Sequence, residues 1–293
     1  MKISKRQSKT TECDIKKGSQ HSGKLFGKQL SEAVIQESIA NKGLQSPRIF
    51  IYPTTDSTNT RAKLYAEENG SSFPAVFIAE HQSAGRGRMG RRFDSERGGG
   101  LYISFLFRPE KDMTPALITL RAALITSLTV ERLVGYSPKI KWVNDLISEK
   151  GKIAGILTEG KISEAGCFEY AICGMGINLY KRDFPPELSG IAATLADLSE
   201  RVPDINEFAS ELIARFFSED EKDAVISEYR KRCSTVGENI TVRRLSGEVF
   251  QAYAVGITDE GSLKVRHEDG RLENLISAEV SVRHAAHEKE SNE

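Results

Sequence analysis

Apolar residues first crowd together at Arg48-Ile-Phe-Ile-Tyr52, where their density and β-branching predict a strand. Upstream the chain is polar, apart from a short amphipathic piece over 30–39 that predicts one helix. Asp56-Ser57-Thr58 offers several N-cap residues, and Ala62, Leu64, Tyr65 and Ala66 follow with helical spacing up to a C-cap signal at Asn69-Gly70. Strands are predicted at 75–81 and 101–107. The strongest helical pattern covers 115–134, where Leu117, Leu120, Ala123, Leu124, Leu128 and Leu133 recur at three and four. After Gly135 the texture turns to short β pieces at 140–146, 152–158 and 168–179, then to helices near 204–217 and 220–232. From Gly237 it is all β, with strands at 240–243, 249–256, 262–266 and 280–283 separated by turn pairs such as Ser246-Gly247, Glu260-Gly261 and Asp269-Gly270. That pattern predicts a small barrel. The expected division is a polar, flexible segment over 1–46, a large α+β domain over 47–235, a small β-barrel domain over 236–284 and a tail over 285–293.

Composition narrows the classes of function. The 293 residues carry 41 Lys and Arg against 41 Asp and Glu, so net charge gives non-specific nucleic-acid binding no support. Charge is uneven at the ends, basic before residue 28 and acidic after 288, which reads as solvated tails. Cys13, Cys167, Cys173 and Cys233 lack the spacing of a zinc site or a redox pair, and scattered thiols fit a reducing cytosol. No run is long enough for a membrane span and no signal-peptide core is seen, so the expected location is cytoplasmic, with no membrane partner and no bound metal.

Residues 85–92, Gly-Arg-Gly-Arg-Met-Gly-Arg-Arg, hold three glycines and four arginines between two predicted strands. Glycine lets backbone approach a ligand, and arginine offers planar, permanently charged forks for phosphate or carboxylate. The spacing also spells GxGxxG, but that fingerprint needs a helix opening at its last glycine, and Arg92-Phe-Asp-Ser-Glu-Arg-Gly-Gly-Gly cannot start one. A Walker loop is excluded because no Gly-Lys-Ser/Thr occurs. The remaining readings are a solvated surface loop and a loop ordered by an acyl or phosphoryl anion; the Gly-Arg alternation favours the second. A further cluster is Lys139-Ile-Lys-Trp-Val-Asn-Asp145 with Gly151-Lys152-Ile-Ala-Gly155-Ile-Leu-Thr-Glu159. Strand alternation would put Trp142 and Asn144 on one face, and Lys141, Val143 and Asp145 on the other. Lys152 stands in an otherwise apolar strand, where a cation is costly unless an anion meets it. Spacing alone leaves function and structure equally open there. In Cys173-Gly174-Met-Gly176-Ile-Asn178 the strand glycines mark a close approach by a ligand or another backbone. His81 has no fixed partner and reads as structural.

Together these pieces resemble the biotin protein ligase, or biotin–[acetyl-CoA-carboxylase] ligase, family. The resemblance rests on Asp56-Ser-Thr-Asn59, Glu80-His-Gln-Ser-Ala-Gly-Arg-Gly-Arg-Met-Gly-Arg91, Lys141-Trp-Val-Asn-Asp145, Lys152-Ile-Ala-Gly-Ile-Leu157, Gly174-Met-Gly-Ile-Asn178 and Glu279-Val-Ser-Val-Arg283, in the family's order. It implies a mixed-sheet biotin/lipoate-ligase-like catalytic domain flanked by helices, plus a small SH3-like barrel. The implied activity makes biotinyl-5′-adenylate from biotin and ATP with Mg2+, then passes biotin to a lysine of a biotin carboxyl carrier domain. By position, Ser57, Thr58, Asn59 and Gln82 would bind the biotin rings. Arg86, Gly87 and Arg88 would close over the acyl-phosphate, and Lys152 would reach the carboxylate and α-phosphate. Asp145 would help organise the reacting groups, Asn178 would read adenine, and Arg91 and Arg283 would face the nucleotide. Residue 143 is valine where the family usually has proline, and Ala278 replaces a usual glycine. The stretch before the core lacks the paired helical periods of a winged-helix domain, which implies a ligase without repressor function. A homodimer is left open, since family members often pair through the catalytic sheet.

Two other readings stand beside this one. A lipoate–protein ligase shares fold and chemistry, but Gly98-Gly-Gly100 leads here into Leu101-Tyr-Ile-Ser, which favours biotin. A non-catalytic biotin-binding regulator is disfavoured because Lys152 and all the loop arginines are present.

Overall fold

A computed structural model of the chain describes residues 29–70, 72–164, 167–218 and 222–282. Its first element is α1 (Glu32–Ala40), followed by β1 (Arg48–Tyr52), α2 (Thr58–Asn69), β2 (Ala75–Ala79), β3 (Gly100–Phe107) and α3 (Pro115–Val134). Then come β4 (Lys139–Lys141), β5 (Asp145–Ser148), β6 (Gly151–Ile162), β7 (Phe168–Asn178), α4 (Ile205–Phe216) and α5 (Lys222–Arg232). Seven strands form one mixed sheet in the order β1-β2-β3-β7-β6-β5-β4, with β1 and β2 parallel across α2 and every other pair antiparallel.

Helix α3 shows how local signals and burial cooperate. Thr114 caps its start by accepting from the Leu117 N–H, Pro115 occupies the first turn, and Gly135 ends it in the left-handed region at φ 76°. Most of its faces are buried because the sheet lies on one side and α4 and α5 on the other. The large core runs between these helices and one face of the sheet, while α2 covers a smaller core on the opposite face, around Phe77, Leu106, Tyr170 and Ile172.

Part of the segment expected to be flexible is built into this core. Ile35 and Ile39 of α1 are buried, the Ser31 N–H donates to Asn206 Oδ1, and Lys42 pairs with the buried Glu211 on α4. Apolar residues on one face of a nine-residue helix gain more from this packing than from propensity, which the polar surroundings of 30–39 obscured. Residues 1–28 and the tail over 285–293 lie outside the described residues.

The C-terminal part forms β8 (Asn239–Arg243), β9 (Val249–Ile257), β10 (Leu263–His267), β11 (Leu272–Leu275) and β12 (Glu279–Val282). They make a five-stranded antiparallel sheet in the order β11-β10-β9-β8-β12. Strand β11 had no sequence signal, since Leu-Glu-Asn-Leu shows neither β-branching nor alternation; its pairing with β10 alone makes it a strand. No helix among the described residues is long and apolar enough to cross a membrane.

The expected strand over 140–146 is interrupted. Trp142, Val143 and Asn144 form a turn between β4 and β5, with Trp142 and Val143 both buried. The Trp142 N–H donates to Thr235 Oγ1 and its indole Nε1–H to the Gly261 carbonyl, so the tryptophan serves the junction with the small domain rather than a strand face. The alternation predicted for these residues therefore does not hold, because tertiary partners outweigh the local period.

Candidate active site

Strand β7 explains why there is a hollow in the sheet. On one face, period two places Tyr170, Ile172, Gly174 and Gly176 in a row. Tyr170 and Ile172 pack beneath α2, and where the helix begins the row continues as glycine. The register carries the hollow sideways, opposing Gly174 to Ser104 and Leu157, and Gly176 to Tyr102 and Gly155. A narrow cavity opens there, walled by the start of α2, the Gly-Arg loop and Lys152. The glycines are needed for side-chain approach: a Cβ on Gly174 would stand 2.1 Å from Asn59 Oδ1, and one on Gly176 would stand 2.4 Å from the Phe93 ring.

At the α2 end the wall is a chain of neutral hydrogen bonds. The helix start is capped from outside, since Gln82 Oε1 accepts the Thr58 N–H at 2.9 Å while Ser57 makes no capping bond. Gln82 Nε2 donates to Ser95 Oγ at 2.8 Å. Ser104 Oγ lies 2.7 Å from Thr58 Oγ1 and 2.6 Å from Asn59 Oδ1. Thr58, Asn59, Gln82 and Ser104 are all buried, so their orientations are set before any ligand arrives.

At the other end the groups are charged. Lys152 Nζ forms an ion pair with Asp145 Oδ1 at 2.7 Å, which supplies the anion its strand position demanded. Arg88 donates to Asn144 Oδ1 at 3.0 Å and to Ser277 Oγ and the Ala278 carbonyl, tying the loop to the small domain. Burial lowers the Arg88 pKa, and the charges of Asp145 and Glu279 partly offset this. Asn144 is held by a reciprocal pair with Ile156, in which its Nδ2 donates to the Ile156 carbonyl and its own carbonyl accepts the Ile156 N–H.

The loop itself folds back without starting an α-helix. Gly87 N–H donates to the Arg91 carbonyl and Phe93 N–H to the Gly85 carbonyl, while a single 3-10 turn spans Arg88–Gly90. A dinucleotide fingerprint is thereby excluded by geometry as well as by sequence.

The structure brings Ser57, Thr58, Asn59, Gln82, Arg86, Gly87, Arg88 and Lys152 to the cavity wall. It divides the two loop arginines expected to act together: Arg86 pairs with Glu159 at 2.8 Å, beside Asn59, while Arg88 turns toward Asn144. Asp145 stands behind Lys152. Asn178 does not line the cavity; its buried amide donates to the Ala193 and Lys152 carbonyls, so it braces the strand that carries Lys152. Arg91 is exposed and bound to Glu279 on β12, which holds that carboxyl below its ordinary pKa and raises that of the arginine. Arg283 lies outside the described residues. Phe93, Ser104, Asn144 and Glu159 were not singled out as site residues. Ser104 and Glu159 could have been, since each shares a face with glycine or site positions at period two; Phe93 carried no signal.

The chain matches the Biotin/lipoate A/B protein ligase family over residues 51–178 and the Biotin protein ligase C terminal domain over 235–283. It is 30% identical over 266 residues to the bifunctional ligase/repressor BirA of Bacillus subtilis, covering 87% of this chain and 79% of that one. The chain belongs to the biotin protein ligase family. The biotin–[acetyl-CoA-carboxylase] ligase of Mycobacterium tuberculosis is 29% identical over 244 residues, 80% of this ligase and 89% of that protein. Among solved structures, the biotin protein ligase of Aquifex aeolicus in complex with biotin and ATP superimposes with a TM-score of 0.68 at 26% identity, covering 80% of this chain and 98% of that one.

Among the described residues no group of three or more His, Cys, Asp or Glu side chains is placed to hold an ion, and Asp145 is already paired with Lys152. The described residues therefore offer no site of three or more side-chain ligands for a magnesium held by the protein alone.

Proposed function

We propose that this ligase activates biotin with ATP to biotinyl-5′-adenylate and transfers the biotin to a lysine on the carrier domain of a biotin-dependent carboxylase. One observation carries the reading: a glycine-floored cavity with a hydrogen-bonding end at α2, where Arg86 is neutralised by Glu159, and a cationic end at Lys152 and Arg88. Biotin has that polarity, with a neutral bicyclic ring at one end and a carboxylate at the other. In activation a carboxylate oxygen attacks the α-phosphorus of ATP, the bond to the β-phosphate oxygen breaks, and pyrophosphate leaves. Two anions must meet, so cations fixed at the junction lower the barrier. Lys152 is the cation held there, oriented by Asp145, and Arg88 closes the junction from the loop. In transfer the lysine amine attacks the acyl carbon, AMP departs, and the amine loses a proton. Magnesium in this reading arrives with the ATP phosphates rather than in a site of the chain's own.

The test is to mix the protein with MgATP, biotin and an apo carrier domain and to weigh the product. One added biotin on the carrier supports the reading. Pyrophosphate exchange driven by lipoate and not by biotin would overturn it in favour of the lipoate ligases.

A prediction concerns the loop. Arg88→Gly removes the bonds to Asn144, Ser277 and Ala278, so the loop keeps only the exposed Arg91–Glu279 tie to the small domain and the mixed anhydride loses its cover. We expect free biotinyl-adenylate to escape and to label lysines of a bystander protein at least about tenfold above wild type. Labelling still confined to the carrier would show that Arg88 is not the closure.

A further inference from the structure

Glu159 lies on the same face of β6 as Gly155 and Leu157 but outside the cavity lining, opposite Ile172 in the apolar row under α2. Its two oxygens are used separately: Oε1 accepts from Arg86 Nη2 at 2.8 Å, and Oε2 accepts from Asn59 Nδ2 at 2.8 Å. Both partners line the cavity. Four residues along a strand separate Glu159 from Gly155 by about 13 Å, so this carboxylate sits at the opposite end from Lys152.

We propose that Glu159 is a positioning residue which fixes the amide of Asn59 so that its oxygen faces the ligand, and thereby selects a ring that offers an N–H donor there. A carboxylate accepts and does not donate, so the Asn59 NH2 group must face it. The Leu157 carbonyl, 3.4 Å from the same nitrogen, reinforces that choice. Oδ1 is then turned toward Ser104 Oγ and the glycine floor, with a second lone pair left for a donor. A flipped amide would set oxygen against carboxylate oxygen. The Arg86–Glu159 pair is not what makes the residue matter, because both side chains are substantially exposed (48% and 31%) and such pairs contribute little. Asn59, by contrast, is 4% exposed, and a buried amide with a lost partner is expensive.

The inference rests on the biotin ligase reading, and its test separates the two. Pyrophosphate exchange is measured on the full chain and on Glu159→Ala and Glu159→Gln, varying biotin and ATP in turn, together with a biotin analogue methylated on a ring nitrogen. Loss of a charged acceptor for a buried amide is expected to raise the biotin KM of Glu159→Ala about tenfold or more, with the KM for ATP and kcat within about threefold. The preference for biotin over the methylated analogue should shrink in that variant. Glu159→Gln keeps an acceptor oxygen and should return the biotin KM to within about threefold of wild type. The proposal fails if Glu159→Ala leaves the biotin KM and the analogue preference unchanged, if it raises the KM for ATP equally, or if Glu159→Gln is as impaired as alanine. Wild-type exchange with biotin stands as the check on the activity itself: its presence alongside an unaffected Glu159→Ala overturns only the positioning role, and its absence overturns both.

Discussion

Lys152→Ala is expected to slow biotinyl-adenylate formation by about a hundredfold or more, because it removes the fixed cation from the junction of two anions. The ammonium is well placed to act there. It reaches the cavity beside Gly155, where a Cβ on that glycine would stand 2.9 Å from Nζ, and Asp145 holds it at 2.7 Å. Such preorganised charge costs no reorganisation when the reaction occurs, which is why its loss shows in kcat as well as in KM. The fold should survive. Lys152 and Asp145 are each partly exposed, and although the Oδ1 that meets the ammonium is buried, cutting back the lysine side chain opens a path for water to it, so the cost is a modest loss of stability. Single-turnover production of adenylate, with far-ultraviolet circular dichroism as the control, checks the expectation. A variant within tenfold of wild type would remove Lys152 from the chemistry. Lys152→Arg is not expected to restore activity, since a planar fork does not replace a compact ammonium.

Gly174→Ala is expected to weaken biotin binding by about a hundredfold, the scale of a misplacement of about 1 Å in a positioned site. The new methyl would lie 2.1 Å from Asn59 Oδ1 and 2.9 Å from its Cγ. Asn59 cannot simply swing aside, because Glu159 and Ser104 hold its amide from both sides and its backbone is in the first turn of α2. Either the amide leaves its bonds or β7 moves, and both spoil the ring end of the cavity. Overpacking should also cost about 1–3 kcal/mol of stability, seen as a lowered Tm. Gly256→Ala is the control: it also lies in a strand, but its Cβ would meet nothing within 4 Å. Calorimetric titration with biotin decides the matter, and a Gly174→Ala protein binding within threefold of wild type would falsify the tight contact.

The large elements were legible because their signals are local. Helix α3 carries its cap, its first-turn proline, its apolar period and its terminal glycine in the sequence, and the structure follows them to the residue at both ends. The strand glycines were legible as points of close approach, although the sequence could not say that Asn59 and Phe93 are what approaches. The break at Trp142 was hidden, because its cause is a hydroxyl at Thr235 and a carbonyl at Gly261, far along the chain. Strand β11 was hidden for a similar reason, its only warrant being a neighbour in the sheet.

The amino-acid sequence alone determined the class of fold, the order of the larger elements, the location of the Gly-Arg loop and the candidate cation Lys152. Each depends on period, on cap and turn chemistry or on motif order, all of which act over a few residues. Tertiary structure alone decided how those parts are shared out. It sent Arg86 to Glu159 and Arg88 to the small domain, turned Asn178 away to brace backbone, and gave Lys152 its partner in Asp145. The physical reason is that a charged or amide side chain takes whichever counter-group the sheet register and domain packing bring within about 3 Å, and its place along the chain does not encode that partner.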